Sequence, residues 1–236
     1  MARAYARLDT AGFLTLQGLF TAHVTGNFVT LGASLALGTS GAIAKLLALP
    51  SFCAMVVATR LLDTWLSERH RPALETLLVL QVLLLVIGAA LAIRFDPFHD
   101  SDSWRTVLTG MVLVSAMAIR NAFHRLHLGS TPPSTIMTGT TTQVVIDLAD
   151  TVYGPKGIDR PSRPRLVQMS RSVLLFAIGC GAAALLYGPF GMKCFLVPPV
   201  VGILQLIVRL IMWRQSRRDD DPAPAGCQLQ HTKLSG

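Results

Sequence analysis

Between Thr10 and Ile43 the chain carries no lysine, arginine, aspartate or glutamate, and His23 is the one ionisable group of that run. Few folds accept so long a stretch without charge. A helix needs about 20 mostly apolar residues to cross the hydrocarbon core of a bilayer. Comparable blocks follow at Leu46–Trp65, Ala73–Ile93, Trp104–Phe123, Ser172–Tyr187 and Cys194–Trp213. Hydrophobic residues make up 51% of the chain and charged ones 14%, against roughly a quarter charged in an ordinary soluble domain. Mean hydropathy is +0.50. A water-soluble enzyme, a disulfide-stapled secreted domain and a disordered chain are thereby excluded. The net charge of +8 sits in short basic clusters between apolar blocks. That arrangement suits the loops of a multi-pass protein in a lipid bilayer, and no nucleic-acid partner is expected.

Charge placement sets the expected topology. Basic residues cluster at Arg69–Arg71, from Lys156 through Arg160, Arg163 and Arg165 to Arg171, and at Arg214, Arg217 and Arg218. The connections at Leu37–Ala44, Asp96–Ser103 and Gly188–Met192 are neutral or acidic by comparison. The positive-inside rule puts the first set in the cytoplasm, with both termini inside. Threonine-rich Thr135–Val152 then poses a problem. A full crossing there would strand the basic run from Lys156 to Arg171 on the wrong face. It is therefore read as a re-entrant or broken segment buried by its neighbours. The expected fold is all-α, a polytopic transmembrane bundle of about six crossings plus this Thr-Gly segment. The transmembrane domain covers residues 1–215, in repeat-like halves near 1–95 and 104–215, and 216–236 is a disordered cytoplasmic tail. The first apolar run is too long for a signal peptide and is taken as mature sequence.

A weak internal repeat runs at an offset of about 113 residues. Val24-Thr25-Gly26-Asn27 answers to Met137-Thr138-Gly139-Thr140, and Asp9-Thr10-Ala11 to Asn121-Ala122 with a one-residue gap. A re-entrant segment plus an odd number of crossings in each half would make the halves inverted. Block four has no counterpart ahead of Asp9: either the first half never had that helix, or the sequence is expected to start inside it.

The same strings carry a family resemblance. Asp9-x-x-Gly12-Phe13, the Phe20-x-x-His23-x-Thr25-Gly26-Asn27 string, Ala116-Met117-Ala118-Ile119-Arg120-Asn121-Ala122 and Met137-Thr138-Gly139-Thr140 together resemble the YoaK family, over nearly the whole chain to Trp213. The resemblance implies a bacterial multi-pass inner-membrane protein built on a domain of unknown function, and no established activity. Family members usually carry an apolar helix ahead of the Asp-containing stretch. They usually have Gly and Gln where this chain has Ala118 and Arg120.

Two readings of the Thr-Gly strings stand side by side. A glycine costs a helix about 1 kcal/mol relative to alanine, while Thr and Asn can satisfy freed backbone groups. Helix breaks at mid-membrane then expose backbone dipoles that hold an ion or a small molecule. In this reading Thr25, Gly26, Asn27, Thr138, Gly139 and Thr140 form a substrate site with Asp9, His23 and Asn121 nearby, and the protein is a small-solute transporter. In the other reading Gly26 and Gly139 only let helices approach, and the protein is a membrane scaffold or sensor. His23 either couples protons or is a neutral, hydrogen-bonded histidine. Asp147 and Asp150 are expected to pair with Lys156 or Arg160 at the surface. His124 and His127 with their arginines suit anionic lipid, and Arg60 and Arg209 snorkel to headgroups. Cys53, Cys180, Cys194 and Cys227 stand singly, without C-x-x-C spacing. There is no Walker loop, H-E-x-x-H or G-x-G-x-x-G string, so neither catalysis, a metal nor a cofactor is expected. Composition leaves a homo-oligomer open.

Overall fold

A computed structural model describes residues 9–10, 12–95, 102–127, 137–153 and 163–219. The chain is a multi-pass bundle of helices, as the apolar blocks require. Its α-helices among the described residues include α1 Gly26–Leu37, α2 Ala42–Glu68, α3 Ala73–Arg94, α4 Trp104–His127, α5 Met137–Tyr153, α6 Arg163–Phe190 and α7 Val197–Asp219, with a 3₁₀ turn at Gly191–Leu196 before α7. Helices α2, α3 and α4 are each long and apolar enough to cross a bilayer, and so is the 47-residue stretch Leu166–Met212 that contains most of α6 and α7. Pro198 and Pro199 fall in the first turn of α7, where a missing N–H breaks no helical bond.

The outer surface is greasy. Leu185 is 78% exposed and Leu37 76%, and exposed large aliphatic side chains occur on every α-helix. Water would penalise such a surface; hydrocarbon does not.

Helix α4 is the centre of the bundle. It packs along both α2 and α3, while α7 lies on α3 and α5 lies on α6. Leu113, Val114, Ala116, Met117 and Ile119 of α4 are fully buried. Both its ends are pinned to α2. At one end the Asp102 carboxylate accepts from the N–H groups of Gly41 (2.9 Å) and Ile43 (3.1 Å), capping the start of α2. At the other, His127 Nε2 lies 2.8 Å from Asp63 Oδ1 near the end of α2. Helices α2 and α4 therefore run parallel, with antiparallel α3 joining them. Helix α1 turns back onto α2 at Gly38 and Gly41, and buried Lys45 donates to Ser34 Oγ across that pair (2.6 Å).

Two features bear on the helix breaks expected at the Thr-Gly strings. The charge-free first block is not one continuous helix: residues 12–15 are helical, 16–25 are not, and α1 has only 12 residues. At 1.5 Å per residue α1 reaches about 18 Å, so this block can cross only as a broken element. The second Thr-Gly segment, conversely, is unbroken where it is described. Met137–Tyr153 is one helix, with Thr138-Gly139-Thr140 inside its first turn. Gly139 is accommodated because the first turn of a helix asks least of the backbone. Any break ahead of it falls at 128–136, and the tail beyond Asp219 likewise lies outside the described residues.

Candidate functional site

The break in the first block begins where Gln17 (φ 50°) and Gly18 (φ 87°) take left-handed backbone conformations. The second of these suits only glycine well. The next residues make no helical ladder, yet no bulk water is at hand to satisfy them within a bilayer. Two side chains from either flank do so. Asp9 Oδ1 accepts from the N–H groups of Thr21 and Ala22, each at 2.8 Å, with the Thr21 hydroxyl at 3.4 Å. Asn27 Oδ1 accepts from Phe20 N–H at 2.8 Å, and its Nδ2 donates to Phe20 C=O at 2.9 Å. Three consecutive N–H groups are thus paired by one carboxylate and one amide.

The remaining Asp9 oxygen, Oδ2, lies 2.6 Å from His23 Nδ1. With the proton on that nitrogen this is a hydrogen bond, and it fixes the ring. The ring stands edge-on to Phe176 of α6, 5.5 Å between centroids. Tight turns from Gly26 N–H to His23 C=O and from Asn27 N–H to Val24 C=O then lead into α1. A Cβ at Gly26 would stand 3.0 Å from the Phe20 ring, so the glycine of the string seats that ring.

Beyond the break opens a cavity of about 550 Å³. His23 and Thr25 form its inner end, and Leu49, Phe52, Val56 and Arg60 of α2 one wall. Arg120, Asn121, His124 and Arg125 of α4 form the other, and among the described residues no aspartate or glutamate lines it. The volume suits a small-molecule site. Arg120 is 2% exposed, its guanidinium 5.0 Å from the Phe123 ring centre. It also lines a second cavity of about 470 Å³, between α3, α4 and α7.

Of the residues expected at a site, three meet here: His23, Thr25 and Asn121. Asp9, Gly26 and Asn27 stand behind the wall, holding the break. Thr138, Gly139 and Thr140 are elsewhere, on α5, the first two exposed and Thr140 buried. Thr138 borders a shallow groove with Thr141 and Thr142. The two Thr-Gly strings each open a helix, but they share no cavity among the described residues.

Several pairings differ from expectation. Asp147 is buried and accepts from Gln143 Nε2 at 2.6 Å, one helical turn away; Lys156 and Arg160 lie outside the described residues. His127 Nε2 pairs with Asp63, and Arg60 Nη1 reaches the other oxygen of that carboxylate at 3.2 Å. Asp9 is buried. Sequence reasoning gave Asp63 and Lys45 no role and read Arg120 only as part of a basic face toward anionic lipid. Each is a charged residue inside or beside an apolar block, the signal that marks a paired or functional group in a membrane. No three His, Cys, Asp or Glu side chains gather as metal ligands among the described residues.

Comparison with known proteins agrees with this architecture. The UPF0700 transmembrane protein YoaK of Bacillus subtilis (strain 168) is 27% identical over 184 residues, 75% of this chain and 77% of that protein. No solved structure matches. The model of a family described as protein of unknown function, DUF1275, spans residues 6–208. A helical multi-pass chain that matches over this length belongs to the DUF1275 family.

Proposed function

We propose that this membrane protein is a permease for a small solute, passive or ion-coupled, and that it makes and breaks no bond. The observation that carries the reading is the cavity of about 550 Å³ that begins at a non-helical stretch, where His23, Thr25 and Asn121 converge. Irregular backbone at membrane depth is tolerated where it is buried in protein or lines a cavity, and transporters build sites at such breaks. The site belongs to the first Thr-Gly string; the second is left a structural role on α5. The charge clusters at Arg69–Arg71 and beyond Lys156 support an inner-membrane location, with both termini cytoplasmic.

Uptake by proteoliposomes tests this. Vesicles holding the wild-type chain should accumulate at least one solute of a broad labelled panel above empty vesicles. Thr25→Val and Asn121→Leu, folded to the same extent, should cut that uptake about ten-fold, the effect of losing one hydrogen bond worth about 1.4 kcal/mol. Uptake that ignores both changes sinks the site.

The seating of Phe20 on Gly26 favours a second reading, a scaffold or sensor in which the string serves packing alone. There Gly26→Ala lowers stability while Thr25→Val changes nothing measurable.

A further inference from the structure

We infer that the cavity beside the break binds a proton at His23 Nε2, and that this proton is the ion coupled to the solute. This rests on reading that cavity as the substrate site. His23 stands at its inner end with Thr25, and Asn121 lines it from α4. The Nδ1 atom of His23 lies 2.6 Å from Asp9 Oδ2, so the neutral ring keeps its proton on that nitrogen and presents Nε2 as an acceptor. Nε2 makes no hydrogen bond among the described residues. Phe20 and Phe176 stand edge-on to the ring, at 6.4 and 5.5 Å between centroids, and hold its plane. The side chain is 28% exposed and lines the cavity, so a proton can reach it.

A proton added there turns a pair with one net negative charge into a neutral ion pair. The balancing charge has to be Asp9, because the other ionisable groups that face the ring are basic. Arg60 comes from α2, and Arg120, His124 and Arg125 come from α4. Helix α1 has no ionisable residue. Helix α6 presents Phe176, more than a helical turn along the chain from Arg171 and Cys180. The second carboxylate oxygen, Oδ1, is committed to the N–H groups of Thr21 and Ala22, which holds Asp9 in place with or without the proton. Protonation also changes what the cavity offers. Neutral Nε2 accepts a hydrogen bond, whereas the imidazolium donates one. A carbonyl oxygen of the solute can pair with Nε2 only when the proton is present, so proton and solute travel together. The substrate class is a small carbonyl-bearing solute.

Two measurements test this, the first without any solute. Nitrogen NMR of isotopically labelled histidine, on the detergent-purified full chain, reads the tautomer and charge of His23. Its signal is the one lost in His23→Gln. The wild-type ring should carry its proton on Nδ1 when neutral and become imidazolium between about pH 8 and pH 5. In Asp9→Asn the amide oxygen stays with Thr21 and Ala22, so the amide nitrogen faces the ring and donates to Nδ1. The proton of the neutral ring should then move to Nε2, an inversion that loose packing does not produce. In the second measurement, proteoliposomes with the membrane potential clamped meet the labelled panel with the outside about one pH unit more acid. A carbonyl-bearing solute should accumulate about ten-fold, the equilibrium value for one proton per solute. A protonophore, His23→Gln and Asp9→Asn should each abolish that accumulation. His70→Gln, in the connection between α2 and α3, should behave as wild type.

A His23 ring that stays neutral down to pH 5, or that carries its proton on Nε2 in the wild type, overturns the inference. An equal loss in His70→Gln does so too. Uptake indifferent to the gradient and to His23→Gln overturns it and leaves a passive permease standing. Accumulation driven by an alkaline outside also overturns it, since proton and solute would then exchange. A ring that titrates as expected beside no uptake of any solute upholds the proton site and removes the permease. The titration and the protonophore arm use the wild-type chain, so a variant that does not fold leaves both readouts intact.

Discussion

Asp9 and Asn27 show what a polar side chain inside this membrane protein is for. A carboxylate at mid-membrane costs roughly 2.5–3.5 kcal/mol on insertion scales, and Asp9 offsets that by accepting from two backbone N–H groups and lying against His23 Nδ1. The backbone gains as much as the side chain does, because an unpaired buried N–H costs about 1–3 kcal/mol. Replacement should follow hydrogen-bonding capacity more than charge. Asp9→Asn, which keeps an acceptor oxygen for Thr21 and Ala22, should lose about 1 kcal/mol, and Asp9→Ala about 3 kcal/mol or more. Thermal unfolding in detergent gives the order, and equal losses would refute it. Asn27→Leu conserves volume but strands the N–H and C=O of Phe20. It should lower stability by about 2–4 kcal/mol, while Asn27→Asp, which keeps the acceptor, should lose less.

Between elements, closeness depends on glycine and on two ionic clasps. A Cβ at Gly88 of α3 would collide with the side chain of Leu113, fully buried on α4, and one at Gly110 would come within 2.6 Å of Leu19 in the break. Helices in lipid gain from this intimacy because no hydrophobic effect drives them together. Gly88→Ala should therefore lose about 1–3 kcal/mol by overpacking, and Leu113→Val in the same chain should recover part of it. A double-mutant cycle on melting temperatures reads the coupling; additive losses would place the strain elsewhere. At the far end of α4, Asp63 ties α2 to α4 through His127, with Arg60 of α2 on its other oxygen. Asp63→Asn should weaken that clasp by about 1–3 kcal/mol, seen as earlier proteolysis or hydrogen exchange at the ends of α2 and α4 with their capped starts unaffected. Uniform exchange along both helices would contradict it.

Over the whole molecule, parallel α2 and α4 mean that Ser40 and Arg71 stand at opposite ends of the bundle. Single cysteines at Thr39 and Arg71, in a chain otherwise free of cysteine, should react with an impermeant maleimide from opposite sides of the membrane, Arg71→Cys from the cytoplasmic side. Labelling from one side would mean that α2 does not cross. The bundle is also where the suspected repeat parts company with the site. Thr25 and Thr138 stand at matching places, each at the start of a helix, yet α1 packs on α2 while α5 packs on α6. Similar strings therefore end in different local structure, a turn leading into α1 and the first turn of α5, under different neighbours.

The apolar blocks by themselves determined the class, the helices and most of their ends, because hydropathy and chain length act locally: a helix in lipid satisfies its own backbone wherever it lies. They also singled out Asp9, His23 and Asn27 as unusual. Only the tertiary structure decided what these residues do, since a hydrogen bond from Asp9 to Thr21 or a contact between Arg120 and a cavity wall leaves no periodicity to read. The charge-free first run looks continuous in hydropathy, for threonine, glycine and asparagine carry no formal charge, and its break follows from Gly18, Asp9 and Asn27 acting together. Pairing His127 with Asp63 needed α2 and α4 to lie parallel, and that follows from how α3 folds the chain back between them, a property of packing and not of any one stretch.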